Sequence, residues 1–133
     1  MSNVAFGAAI GKWAKGAQRS VQEVRKYALV NMGGAIIGDT PFLTGMLKGN
    51  WQTSIEAPQV GEIPLRPANL AMAELVDVTS KLKGDETFYL RNNRPYAVAI
   101  EFGHSKKRPE GMLRKNVAAW RRHIMRAVRE KKL

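Results

Sequence analysis

Asn92-Asn93-Arg94-Pro95-Tyr96-Ala97-Val98-Ala99-Ile100-Glu101-Phe102-Gly103-His104-Ser105-Lys106-Lys107-Arg108-Pro109 is the stretch around which the rest of the chain is arranged. Asn tolerates left-handed backbone, while Pro95 fixes its own φ and pushes Arg94 away from helix, so a turn precedes Tyr96. Tyr96, Ala99, Ile100 and Gly103 then fall at offsets of three and four. That spacing predicts a short helix that buries its Tyr and Ile and is closed by a glycine C-cap at Gly103. From His104 to Pro109 the chain is expected to project as a loop with three consecutive cations.

Immediately upstream, Glu86 to Arg91 alternates, with Phe88 and Leu90 on one side and Thr87 and Tyr89 on the other, which marks a strand. Leu70, Ala73, Leu75, Val78 and Leu82 repeat at helical offsets and predict a helix over 70–82, turned by Gly84-Asp85. Pro58 to Asn69 holds three of the six prolines and reads as a loop. Before it, Trp51 opens a second strand through Ala57. A one- or two-turn helix carrying Met46 and Leu47 precedes that strand, with Thr44 placed as its N-cap.

The first third is one amphipathic helix. Phe6, Ile10, Trp13, Ala17, Val21, Val24, Ala28, Met32 and Ala35 step by three or four, with polar residues on the other side. Gly7, Gly11 and Gly16 each cost about 1 kcal/mol against Ala, so the firm helix is expected over 14–36 and residues 1–15 as a flexible arm. Gly38-Asp39-Thr40-Pro41 ends it. The apolar stripe is longer than one small core needs, which points to another subunit. At the other end, Leu113, Val117, Trp120, Ile124 and Val128 form a stripe expected to bury Trp120 against the sheet. The chain is thus expected to be a single α+β domain over 1–133. It comprises a long N-terminal helix, a small, mostly antiparallel sheet flanked by helices, and an amphipathic basic C-terminal helix, with 104–112 a projecting basic loop.

Charge is distributed unevenly. Of a net +11, residues 104–133 carry +9, from eleven Lys or Arg against two Glu. Such asymmetry marks a surface for an anionic partner, nucleic acid or acidic protein, or else a solvated helix face. Arg114, Lys115, Arg121, Arg122, Arg126 and Arg129 make up this DNA-facing or solvated face. Zero cysteines exclude disulfides and thiolate metal sites, and two isolated histidines are poor material for a metal centre, so neither cofactor nor metal is expected. No run of about 18 apolar residues exists and the N-terminus lacks signal-peptide order, so no membrane is expected and synthesis is expected in the cytoplasm. Glu101 and His104 are raw material for an acid-base pair, as in small basic ribonuclease toxins. No nucleophile, metal cluster or phosphate-cradling loop accompanies them, and Glu101 equally suits a pairing with Arg94 or with a cation of a neighbouring subunit.

Two motifs resemble one family. Thr40-Pro41-Phe42-Leu43-Thr44-Gly45-Met46-Leu47-Lys48-Gly49-Asn50-Trp51 is similar to the Thr-Pro-x-x-Thr-Gly-x-Leu-basic-x-x-Trp stretch of the neck and tail-completion (head-tail connector) proteins of long-tailed, siphovirus-like bacteriophages. Asn92 to Gly111 resembles their Asn-Asn-x-Pro-Tyr-Ala…Glu-aromatic-Gly-x-Ser-Lys…Pro-x-Gly-Met stretch. The resemblance covers roughly residues 15 to 120. One departure is Leu43, where family members carry an acid before the Thr-Gly pair, so the local turn is left to Thr44 and packing.

The resemblance implies a non-enzymatic virion protein at the head-tail junction. It implies a homo-oligomeric ring, a hexamer by family pattern, between head-closure and tail-terminator or tail-tube proteins, with double-stranded DNA passing non-specifically. Thr44, Gly45, Leu47, Trp51, Pro95 and Gly103 are the expected structural residues. Lys106, Lys107 and Arg108, with Glu101, Tyr96 and Phe102, form the expected docking surface, although the loop cations suit DNA as well. A free, sequence-independent nucleic-acid-binding module is the alternative.

Overall fold

The computed structural model describes residues 3–42, 45–103 and 110–131. Thr44, His104, Lys106, Lys107 and Arg108 lie outside them, and with them the expected N-cap and the cations of the projecting loop. The fold is α+β, as expected: a long N-terminal helix, a two-stranded antiparallel sheet flanked by helices, and a C-terminal helix.

Helix α1 runs from Asn3 to Asp39, 37 residues and about 55 Å. It starts earlier than the glycines suggested. Ala5, Ala8, Ala9, Ala14 and Ala17 are strong helix formers, and an added Cβ at Gly7, Gly11 or Gly16 would meet nothing within 4 Å, so these glycines answer to no close neighbour. The helix ends where Thr40 returns its hydroxyl to the Ile36 carbonyl at 2.7 Å and Pro41 has no N–H to offer. Only its second half is embedded, burying Ala28, Leu29, Ile36 and Ile37. Helix α3 (Ala68–Ser80) crosses it closely at Gly33, where an added Cβ would come within 2.8 Å of Leu75. Arg25 further ties α1 to the turn before the second strand by donating to the Gly84 and Glu86 carbonyls.

Helix α2 (Met46–Gly49) leads directly into β1 (Trp51–Ile55), which pairs antiparallel with β2 (Phe88–Asn92) in the register Trp51↔Asn92 to Ile55↔Phe88. Gly45 stands at the α2 N-cap with φ +80, a left-handed backbone that suits glycine, and no side chain caps the helix among the described residues. Gly49 is equally constrained, since a Cβ there would lie 1.9 Å from the Arg66 carbonyl oxygen. Arg66 also donates to the Trp51 carbonyl at 2.9 Å, and Glu74 accepts the Thr53 N–H at 2.9 Å. These bonds close the outer edge of β1. The core gathers Ile36, Ile37, Leu47, Trp51, Ala71, Leu75, Ala97, Ile100 and Met112.

Three short helices complete the chain: α4 (Ala97–Glu101), α5 (Arg114–Ala118) and α6 (Trp120–Glu130). Two expectations are corrected here. In α4 Ala97, Ile100 and Glu101 are buried while Tyr96 is exposed, because α4 turns its 97/100/101 face to the core. The C-terminal helix is broken at Ala119, and its buried residues are Asn116, His123 and Ala127, while Leu113 and Val117 face solvent and Trp120 is half-buried. The reason is its partner. It lies antiparallel on α1 rather than on the sheet, with Asn116 donating to Asp39 at 2.9 Å and, at the far end, Lys131 5.5 Å from the Tyr27 ring.

Candidate interaction surfaces

The two motif stretches meet inside the fold. Trp51 Nε1 donates to Thr40 Oγ1 at 2.8 Å, and the same hydroxyl reaches Met112 Sδ at 3.4 Å. Asn92 Nδ2 donates to the Leu47 carbonyl at 2.7 Å and its Oδ1 accepts the Arg94 N–H at 3.2 Å, so the turn before Tyr96 is fastened to α2. Trp51 and Leu47 are buried. Buried Asn50 spans to the 56–67 loop, donating to the Ile63 carbonyl at 2.9 Å. Thr40, Asn50, Asn92 and Met112 thus join the expected structural residues. Thr40, Asn92 and Met112 had a signal in the sequence as specified positions of the two motifs, whereas Asn50 stands at an unspecified position and had none.

Glu101 has a different job from the one expected. Its carboxylate accepts the backbone N–H groups of Met112 (2.9 Å), Leu113 (2.6 Å) and Arg114 (2.9 Å), and the Arg114 guanidinium at 2.9 Å. Burial alone would raise its pKa, but these donors outweigh burial and hold the carboxyl down to about 2. Arg94 pairs instead with Glu62 at 3.0 Å. The expectation of a Glu101 bond to Arg94 or to a neighbouring subunit is therefore corrected: the carboxylate is consumed within its own chain. Gly111 makes the approach feasible, since at φ +81 an added Cβ would fall 2.4 Å from the Glu101 carbonyl oxygen. At the other side Gly103, φ +90, donates to the Ile100 carbonyl and ends α4 as expected. Glu101 is thereby a clasp between α4 and the 112–114 stretch.

Three surfaces are left for partners. On α6, Arg121, Arg122, Arg126 and Arg129 point outward. Arg126 meets Glu130 at 2.8 Å, and the other three have no ion pair among the described residues. Arg114 and Lys115 do not share this freedom. Arg114 is held by Glu101 and lies 4.3 Å above the Phe102 ring, and Lys115 is shared by Asp39 (3.3 Å) and Glu110 (3.1 Å). The second surface is a groove of about 380 Å³ between β2 and α4, floored by Trp51, Leu90 and Met112 and rimmed by Val98, Phe102 and Leu113. Pro95 and Tyr96 lie exposed at the turn just before α4. The third is the first half of α1, whose large apolar side chains face solvent. Beneath it, a cleft of about 820 Å³ runs between α1 and the Leu82–Asp85 turn, lined by Lys15, Arg19, Lys26 and Lys83.

His123, buried between α6 and α1, has no partner for Nε2 among the described residues; burial first, then Arg122 and Arg126, lowers its pKa. Among the described residues no cluster of ligating side chains could hold a metal, and no helix is long and apolar enough to cross a membrane. Comparison with protein-family models, curated proteins and solved structures returns no match.

Proposed function

We propose that this chain is a structural subunit of a bacteriophage head-tail connector, a neck or tail-completion protein that assembles as a ring joining the DNA-filled head to the tail. One observation carries the reading: the two stretches on which the resemblance rests form a single packed unit, through Thr40, Trp51 and Met112 and through Asn92 and Leu47. Motif matches arising by chance have no reason to interlock. The remaining surfaces suit the role. The α6 arginines with no ion pair among the described residues supply sequence-independent attraction for phosphate, and uncovered apolar surface supplies contacts between subunits. Glu101 is unsuited as a general base, because a carboxyl held near 2 by four donors has little affinity for a proton.

The test is head-tail joining in vitro. Heads lacking this protein should fail to join purified tails, and the added chain should restore joining and appear by electron microscopy as a ring at the junction. Unrestored joining would sink the reading. A free nucleic-acid-binding module is the second reading, favoured by the α6 arginines alone. It requires tight DNA binding by the monomer at moderate salt, whereas a ring subunit binds weakly alone and gains by multivalency.

A further inference from the structure

Two apolar surfaces lie uncovered among the described residues, and their shapes are opposite. One is a ridge on α1: Phe6, Ile10, Trp13 and Val21 are 60, 52, 74 and 64% exposed and share one side of the helix, with Lys12, Lys15 and Arg19 on the other. The other is the groove between β2 and α4, whose rim residues Val98 and Phe102 are 67 and 60% exposed. They cannot meet within one chain. Val21, the ridge residue nearest the groove, precedes Thr40 by 19 residues along the helix, and Thr40 touches Trp51 and Met112 in the groove floor, so the ridge lies about 28 Å or more from the groove.

We propose that the α1 ridge of one copy seats in the β2–α4 groove of a second copy, so that the chain associates head to tail. This rests on the ring reading above and names its contact surfaces. Phe6, Ile10 and Trp13 stand at i, i+4 and i+7, the spacing by which a helix anchors in an apolar groove. The ridge cations point away from the seat and so do not confront Arg91 and Arg114 beside it. The exposed parts of the four ridge side chains amount to on the order of 500 Å², below the roughly 800 Å² that each partner gives to a stable interface. A single contact of that size is weak, but a closed ring makes it twice per subunit. Because the two surfaces differ, the contact is heterologous, and it yields a ring when its rotation closes and a filament when it does not.

Complementation of two broken surfaces tests the pairing. Trp13→Asp disables the ridge and Val98→Asp the groove. Both side chains are exposed, so each variant should keep the wild-type melting temperature. Phe6→Asp and Phe102→Ser serve as second variants if either loses it. By sedimentation velocity in moderate salt, which screens repulsion between copies, the wild type should associate beyond a dimer and each variant alone should be a monomer. Their equimolar mixture should give dimers and nothing larger, since one partner keeps a live groove and the other a live ridge. A mixture that stays monomeric at every concentration, or a Val98→Asp chain that associates like the wild type, overturns the pairing. Rings formed normally by both variants overturn it too and leave the connector reading standing. A wild type monomeric at every concentration removes the pairing and counts against the ring itself.

Discussion

At Glu101 one carboxylate gathers four donors, three of them backbone N–H groups at the start of α5. Its pKa lies below the ordinary 4.5, at about 2, so the folded state binds the anion in preference. The stabilisation is therefore present above pH 4.5 and lost as pH falls through 2. A shift of that size corresponds to about 3 kcal/mol. Glu101→Gln should be destabilised by roughly that much at pH 6, because an amide turns an N–H toward donors. The gap to wild type in urea unfolding should close as pH approaches 2, and a gap that does not change with pH would refute the clasp. Trp51→Ala belongs to the same scale. It removes a buried indole and the partner of the Thr40 hydroxyl, an expected loss of about 3–5 kcal/mol, read from the denaturation midpoint. An unchanged midpoint would deny Trp51 its place in the core.

Helices are where legibility in the sequence divides. Helix α1 was readable because Ile, Val, Met and Ala recur at helical spacing, although its buried apolar side chains are Ala28, Leu29, Ile36 and Ile37, of which only Ala28 lies on the expected stripe; β1 and β2 were readable because Trp51 and the 86–91 alternation mark them. The seat of α6 was not. Hydropathy favours Leu113 and Val117, whereas the face that meets α1 presents Asn116, His123 and Ala127: Asn116 is chosen by Asp39 across the seam, and Ala127 is small and fully buried there. Burial of Glu101 was hidden for a similar reason, since its partners are backbone groups eleven to thirteen residues away. His123 gives the element-scale prediction. Burial, with Arg122 and Arg126 alongside, sets its folded pKa below the ordinary 6.5, so on acidification the unfolded chain takes up the proton first. Stability of the α1–α6 seam should fall as pH drops from 7 toward 5, above the range where most carboxylates titrate. His123→Leu should flatten the melting temperature over that interval. A slope retained in the variant would place the titrating group elsewhere.

Over the whole molecule, charge is sorted by position. Arg66, Arg94, Arg114 and Lys115 are spent on internal carboxylates, whereas Arg121, Arg122 and Arg129, with no ion pair among the described residues, share the outward side of α6. An array that exists for phosphate works by release of counterions, so binding should weaken with salt in proportion to the number of contacts and be indifferent to base sequence. Arg121, Arg122 and Arg129 replaced together by Gln should leave melting and assembly unchanged, because all three are exposed and none has an ion pair among the described residues. DNA affinity of the assembled form should drop. The plot of log affinity against log salt should become shallower by about 3 for each subunit whose three arginines all touch phosphate, so the gap between variant and wild type narrows as salt rises. Single replacements should shift the slope by about 1 and be interchangeable, since a phosphate contact carries no base information. If the triple variant keeps the wild-type slope, the α6 arginines face water or a protein. The cationic residues in contact with DNA must then be sought elsewhere, with the cleft lined by Lys15, Arg19, Lys26 and Lys83 the next surface to neutralise.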